Sequence, residues 1–198
     1  MSQPQLSILI PAAGASRRLG RAKQLVRYKG GTLIQNAVDL ALSTDPLEVI
    51  VVTGADEQSV KGSVSRGQVR WVHNEDWADG MGSSIAMGAA VIKPESSGAM
   101  ILLCDQWRLQ IADLQLLVTS WLQEPERIVC AQAQSQIRPP VIFPAGLFGN
   151  LQALGSESGA RKILNDHPDL LTAVELEIAQ FDLDRQSQLK QLIISDLS

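Results

Sequence analysis

Short aliphatic runs recur along the chain and alternate with stretches whose apolar positions return every three or four residues. Residues 6–10, 48–53, 69–72, 99–104 and 128–131 are short and almost continuously apolar. That is the pattern of strands covered by helices on both faces, since a half-wet strand would alternate. Between the first two runs, residues 32–42 carry apolar side chains at 33, 34, 37, 38, 40 and 41, a single helical stripe. Thr32, followed three positions later by Gln35, fits a capping box at its start. Further helices are expected at 83–91, 111–122, 159–165 and 186–194. Strands alternating with helices predict an α/β fold, a Rossmann-like, mostly parallel sheet with helices on both faces. Segment 132–145, which holds Pro139 and Pro140, breaks the rhythm and reads as a local insertion or an antiparallel excursion. Ligands of such sheets collect at the carboxyl ends of the strands, so the residues just after each strand are the candidates.

With 198 residues, 45% of them apolar, the chain is long enough for one domain, expected to span 1–198. Seventeen Lys and Arg against twenty-one Asp and Glu leave a net charge of −4. Sequence-independent nucleic-acid binding, which needs a basic surplus, is thereby excluded, while a local basic pocket for a small anion is not. The longest nearly apolar run, residues 6–13, falls far short of the ~20 needed to span a bilayer. The opening residues lack the positive start of a secretory signal. Cys104 and Cys130 lie in predicted strands and read as buried small hydrophobes, too few for a disulfide framework or a Cys-rich zinc site. A soluble, cytoplasmic protein is expected. His73 and His167 have no carboxylate or cysteine at a useful spacing and read as surface or packing residues.

Chemistry concentrates directly after the first strand, in Pro11-Ala-Ala-Gly-Ala-Ser-Arg-Arg-Leu-Gly-Arg-Ala-Lys23. Small residues at 12–16 let the backbone approach a ligand and aim amides at phosphate oxygens. Arg17, Arg18, Arg21 and Lys23 then place four cations within seven residues. A polyanion such as a nucleoside triphosphate is the matching ligand, and a solvated basic turn the plainer alternative. The spacing fits neither the P-loop, because Lys23 lies three residues past Gly20 and precedes Gln24, nor the dinucleotide fingerprint, because Ser16 and Leu19 stand where glycines are required.

The segment Ala12-Ala-Gly-x-Ser-x-Arg-Leu-Gly-x-x-Lys23 resembles the signature loop of nucleotidyltransferases with the MobA-like fold. From about residue 6 to 192 the chain is most similar to molybdenum cofactor cytidylyltransferases. The resemblance implies a nucleotide-diphospho-sugar transferase-like sheet with a nucleotide seated over Ala12, Ala13, Gly14, Ala15 and Ser16. It implies in-line attack by an acceptor phosphate on the α-phosphorus, with pyrophosphate leaving. Arg18 and Lys23 then neutralise the triphosphate, and fixed charge of this kind is the main catalytic device of such transfers. CTP is favoured because the Ala12-Ala13 pair resembles the cytidylyl branch, and the implied acceptor is molybdopterin. Contact with a molybdoenzyme or chaperone is a further implied partner; nucleic acid and membrane are not.

Asn74-Glu-Asp-Trp-Ala-Asp-Gly-Met-Gly-Ser-Ser84 resembles a family segment touching base and ribose, which nominates Asn74, Gly82 and Ser84; by itself, Ser83 or Ser84 reads as a helix cap, and Trp77 as a packing or acceptor-side residue. Asp105, at the end of the fourth strand, is the candidate ligand for Mg2+ and the third catalytic residue; the alternative is a turn cap. Phe181-Asp-Leu-Asp184 resembles a family segment whose second Asp helps to hold the metal, hence Asp184, with Asp182 as substitute. Both also read as solvated acids in a turn. Four places depart from the family. Trp107 replaces a proline, Arg138-Pro139-Pro140 replaces Gly-His-Pro, Glu157 stands for Asp in the segment before Arg161, and Arg185-Gln-Ser-Gln188 replaces Thr-Pro-Glu-Asp. All but Glu157 fall on acceptor or metal-support regions, so a sugar- or polyol-phosphate nucleotidyltransferase, or a non-catalytic nucleotide-binding relative, are the alternatives.

Overall fold

The computed structural model describes residues 4–155, 159–189 and 192. Seven strands form one sheet: β1 (Leu6–Pro11), β2 (Glu48–Thr53), β3 (Arg70–His73), β4 (Gly98–Ile101), β5 (Ile128–Ala133), β6 (Gln136–Pro144) and β7 (Leu171–Glu175), in the order β3-β2-β1-β4-β6-β5-β7. β1 pairs in parallel with β2 and β4, β2 with β3, and β5 with β7, while β6 runs antiparallel to both neighbours. The antiparallel excursion expected at 132–145 is thus a full strand of the sheet.

Side chains of a strand alternate between its faces, so each strand feeds two cores. Ile8, Ile10, Val51, Met100 and Val129 pack with α1 (Leu33–Leu42), α2 (Glu57–Ser63) and α4 (Ile111–Gln123) on one face. Leu9, Ile50, Ile101, Cys130 and Phe143 pack with α3 (Met81–Ala89), α5 (Phe148–Gln152) and α6 (Arg161–Asp166) on the other. Among the described residues no helix is long and apolar enough to cross a membrane.

α2 escapes the apolar pattern because only Val60 of its seven residues is buried. β7 escapes it as a sheet-edge strand with exposed alternate positions. Thr32 caps α1 as expected, its hydroxyl accepting from the Gln35 N–H at 3.2 Å. Gln35 does not return the bond; its side-chain amide donates to Asp39 and the Arg66 carbonyl instead. α3 begins two residues early, after Gly80, so neither Ser83 nor Ser84 is its cap. The helix expected at 186–194 is helical at 186–189 and 192, and its remaining residues lie outside the described ones.

A third, smaller core lies beneath the carboxyl ends of β1 and β4. Leu19, Val26, Tyr28, Leu33, Trp107 and Leu183 meet there, Tyr28 and Trp107 edge to face at 5.2 Å. Leu19 follows Arg18, Trp107 lies two residues past Asp105, and Leu183 precedes Asp184. Burying these three apolar neighbours is what draws three distant charged residues to one rim.

Candidate active site

The turn after β1 is stitched from within. Gln24, buried, donates its side-chain amide to the carbonyls of Ala12 and Gly14, both at 2.8 Å. The Lys23 N–H donates to the Ser16 hydroxyl at 3.1 Å. Ser16 itself sits in the left-handed region at φ 51°. A trans peptide carries its N–H opposite its carbonyl, so the amides of Ala13 and Ala15 face away from Gln24.

This turn walls a cavity of about 410 Å³. Ala13, Gly14, Ala15, Ser16, Arg17, Arg18 and Lys23 form one side, Trp77, Met81 and Ser84 another, and Cys104, Asp105, Leu183 and Asp184 the floor. The Lys23 ammonium ion-pairs with Asp105 and reaches Asp184 at 3.3 Å, while the exposed Arg18 guanidinium lies 3.9 Å from Asp184. Burial works against the Lys23 charge, yet the facing Asp105, with Asp184 adding to it, holds it above the ordinary value of 10.5. Burial pushes the Asp105 carboxyl upward against the pull of Lys23. Burial, then Asp105, lifts the Cys104 thiol to about 12, leaving it neutral.

Asp105 and Asp184 suit a hard divalent cation. Magnesium takes one or two carboxylates and completes its shell with water and substrate phosphates. The buried Asp105 Oδ1 has no partner in the protein, so an acceptor stands ready, and Asp184 faces the same ammonium from the other side. No cluster of three or more His, Cys, Asp or Glu occurs among the described residues, so a site closed by protein ligands alone is not built there. Asp182 does not line the cavity; its Oδ1 accepts from Gln188 at 3.3 Å, and its charge lies near enough to add to the upward push on Asp105.

Three nominated residues stand back from the cavity wall. Ala12 is buried, its N–H on the Val52 carbonyl at 2.8 Å. Asn74 is buried and donates to the hydroxyls of Ser83 and Ser84 at 2.9 and 3.0 Å, so it orients Ser84. Gly82 lies against the chain, where an added Cβ would meet the Gly155 carbonyl oxygen at 2.0 Å; its smallness serves packing. Sequence reasoning passed over Gln24, the residue that shapes the turn, and Gly54, whose absent Cβ makes room for Trp77 at 2.6 Å. Gln24 follows Lys23 directly, and a buried amide beside a Gly-rich turn was the available signal. His73 sits at the surface, its Nδ1 3.0 Å from Glu57.

The segments that depart from the family pattern carry contacts of their own. Gln106 donates to the carbonyls of Pro139 at 2.6 Å and Ala179 at 2.9 Å, joining three segments. Arg108 lies over both the Trp107 and Phe181 rings, 4.6 and 4.0 Å from their centres. Arg138 reaches Gln136 at 3.1 Å. Glu157 lies outside the described residues.

A family model described as the MobA-like NTP transferase domain matches residues 8–171. The chain is 31% identical to the nicotine blue oxidoreductase of Paenarthrobacter nicotinovorans, across 96% of this chain and 97% of that one. It is 32% identical to the purine catabolism protein PucB of Bacillus subtilis (strain 168), across 83% of this chain and 82% of that one. The fold matches Rv0371c from Mycobacterium tuberculosis H37Rv with TM-score 0.83 at 24% identity, over 98% of this chain and 100% of the other. The same protein is also known as a complex with manganese, at TM-score 0.81 and 22% identity, over 96% of this chain and 99% of that one. The fold is therefore the one these solved structures share, a mostly parallel α/β sheet covered by helices on both faces. The chain belongs to the MobA-like NTP transferase family and is an enzyme of the nucleotidyltransferase type.

Proposed function

We propose that this nucleotidyltransferase moves CMP from CTP to a phosphate-bearing acceptor, molybdopterin in the first instance, in a Mg2+-dependent reaction. The observation that carries this reading is the convergence of Lys23, Asp105 and Asp184 under the small-residue turn 13–16, around one cavity. An oxygen of the acceptor phosphate forms a bond to the α-phosphorus, the bond from that phosphorus to the β-phosphate bridge breaks, and pyrophosphate departs. The amides of Ala13 and Ala15 receive triphosphate oxygens. Arg18 and Lys23 balance the charge that builds on the departing pyrophosphate, the term that dominates such reactions. When bound, a divalent ion held by Asp105 and Asp184 neutralises phosphate oxygens and fixes their geometry. Ser84, oriented by Asn74, supports the sugar or base end from across the cavity.

The base preference rests on the Ala12-Ala13 pair and the acceptor on the family. Manganese in the mycobacterial structure supports a divalent ion. Two buried, unbridged cysteines support a cytoplasmic setting. The name of the Paenarthrobacter relative describes an oxidoreductase, an activity that consumption of a reduced nicotinamide cofactor would reveal.

Pyrophosphate release tests the reading, measured for four nucleoside triphosphates against molybdopterin and a panel of sugar and polyol phosphates. Release with CTP and molybdopterin is expected, dependent on Mg2+. Release with a sugar phosphate alone reassigns the acceptor. No release with any pair, or consumption of a reduced nicotinamide cofactor instead, overturns it.

A further inference from the structure

The replaced segment 185–188 shows what holds Asp184 in place. The Gln188 side-chain oxygen accepts from the backbone N–H of Asp184 and of Arg185, each at 2.8 Å, and its amide donates to Asp182. Its own N–H closes the turn onto the Arg185 carbonyl at 3.0 Å. A side chain at the third helical position reaching back to the residue that opens the helix is half of a capping box. Arg185 has no short oxygen-bearing side chain for the other half, so Gln188 caps this end, and it grips one residue further back than a capping box requires. On the far side, Leu183 is fully buried and donates its N–H to the Asp105 carbonyl at 3.1 Å. Asp184 is therefore held from two directions, one leading to the other carboxylate of the site and one to Gln188.

We infer that Gln188 is a positioning residue for Asp184, fixing where its carboxylate meets Lys23 and the divalent cation. The inference rests on the metal role proposed above for Asp184. Gln188 also ties up Asp182, which makes Asp184 the acid that faces the cavity.

Manganese binding to the full chain with CTP tests this, read by water-proton relaxation, which separates protein-bound manganese–CTP from the free complex. Gln188→Ala is expected to weaken manganese about 10-fold, the scale for losing a group that orients a metal ligand. CTP affinity without metal stays unchanged. In pyrophosphate release, half-saturation by metal rises while kcat at saturating metal stays near that of the parent. Gln188→Met, of similar size but with no oxygen to accept from the Asp184 and Arg185 amides, is expected to weaken manganese to the same extent. Manganese held by Gln188→Met as tightly as by the parent overturns the inference, whatever Gln188→Ala does. If the parent chain with CTP binds no manganese, the metal reading of the site falls as well, which tells the two failures apart.

Discussion

The turn after β1 and the rim formed by 105–108, 138–140 and 181–188 face each other across one cavity, yet they are built differently. The turn closes on itself: Lys23 on Ser16 and Gln24 on Ala12 and Gly14, all within a dozen residues. The rim is assembled from afar: Gln106 on Ala179 and Leu183 on Asp105 join segments more than seventy residues apart. A motif held by short-range contacts keeps its letters, because each letter is its neighbour's partner. A rim held by long-range contacts tolerates substitution when another segment supplies the missing bond, as the Pro139 and Ala179 carbonyls do for Gln106.

The sharpest test of that contrast removes the charges where the two regions touch. Lys23→Ala and Asp105→Asn are each expected to lower pyrophosphate release about 1,000-fold, the scale of losing one preorganised transition-state contact, with circular dichroism unchanged. Either variant turning over like the parent breaks the reading. Stability separates the two variants next. Lys23→Ala leaves Asp105 buried without its counter-ion, which is costly, so adding Asp105→Asn to it is expected to raise the melting temperature. A double variant less stable than Lys23→Ala would mean that the carboxylate has other support.

Gln24→Ala addresses the turn alone. Two carbonyls, that of Ala12 buried and that of Gly14 partly so, lose their donor, for about 2 kcal/mol of stability at roughly 1 per bond, measurable by denaturant titration. KM for CTP is expected to rise with kcat less affected. The smallest effect is alkaline. The Lys23 ammonium is held above 10.5, so the stability it contributes is complete below that pH and fades as pH rises beyond it. The difference in unfolding free energy between the parent and Lys23→Met should therefore shrink only above that pH.

Much of this was legible in the residues. Five largely apolar runs marked β1 to β5: in β1, β2, β4 and β5 burial on both faces leaves almost no polar position to confuse the pattern, whereas β3, at the sheet edge, is only half-buried. The sheet-edge strand β7 and the polar helix α2 were not legible, having too little buried surface to write a period. In the site, Arg18, Lys23, Asp105 and Asp184 were nominated and do meet around one cavity. Asn74, Ala12 and Gly82 were nominated as contacts and lie one layer back, because a motif records that a residue is needed and not whether it touches the ligand or its neighbour. Gln188 was invisible as a support because the two bonds that hold Asp184 and Arg185 reach backbone N–H groups, which carry no side-chain signal.

The two carbonyls folded inward onto Gln24 have a consequence for binding thermodynamics. A loop that must organise itself around an anion surrenders conformational freedom at the moment of capture, and affinity falls accordingly. Here that ordering belongs to the folding of the chain itself. Triphosphate then meets a surface already shaped, and the entropy lost on association is confined to the ligand and to exposed arginine side chains.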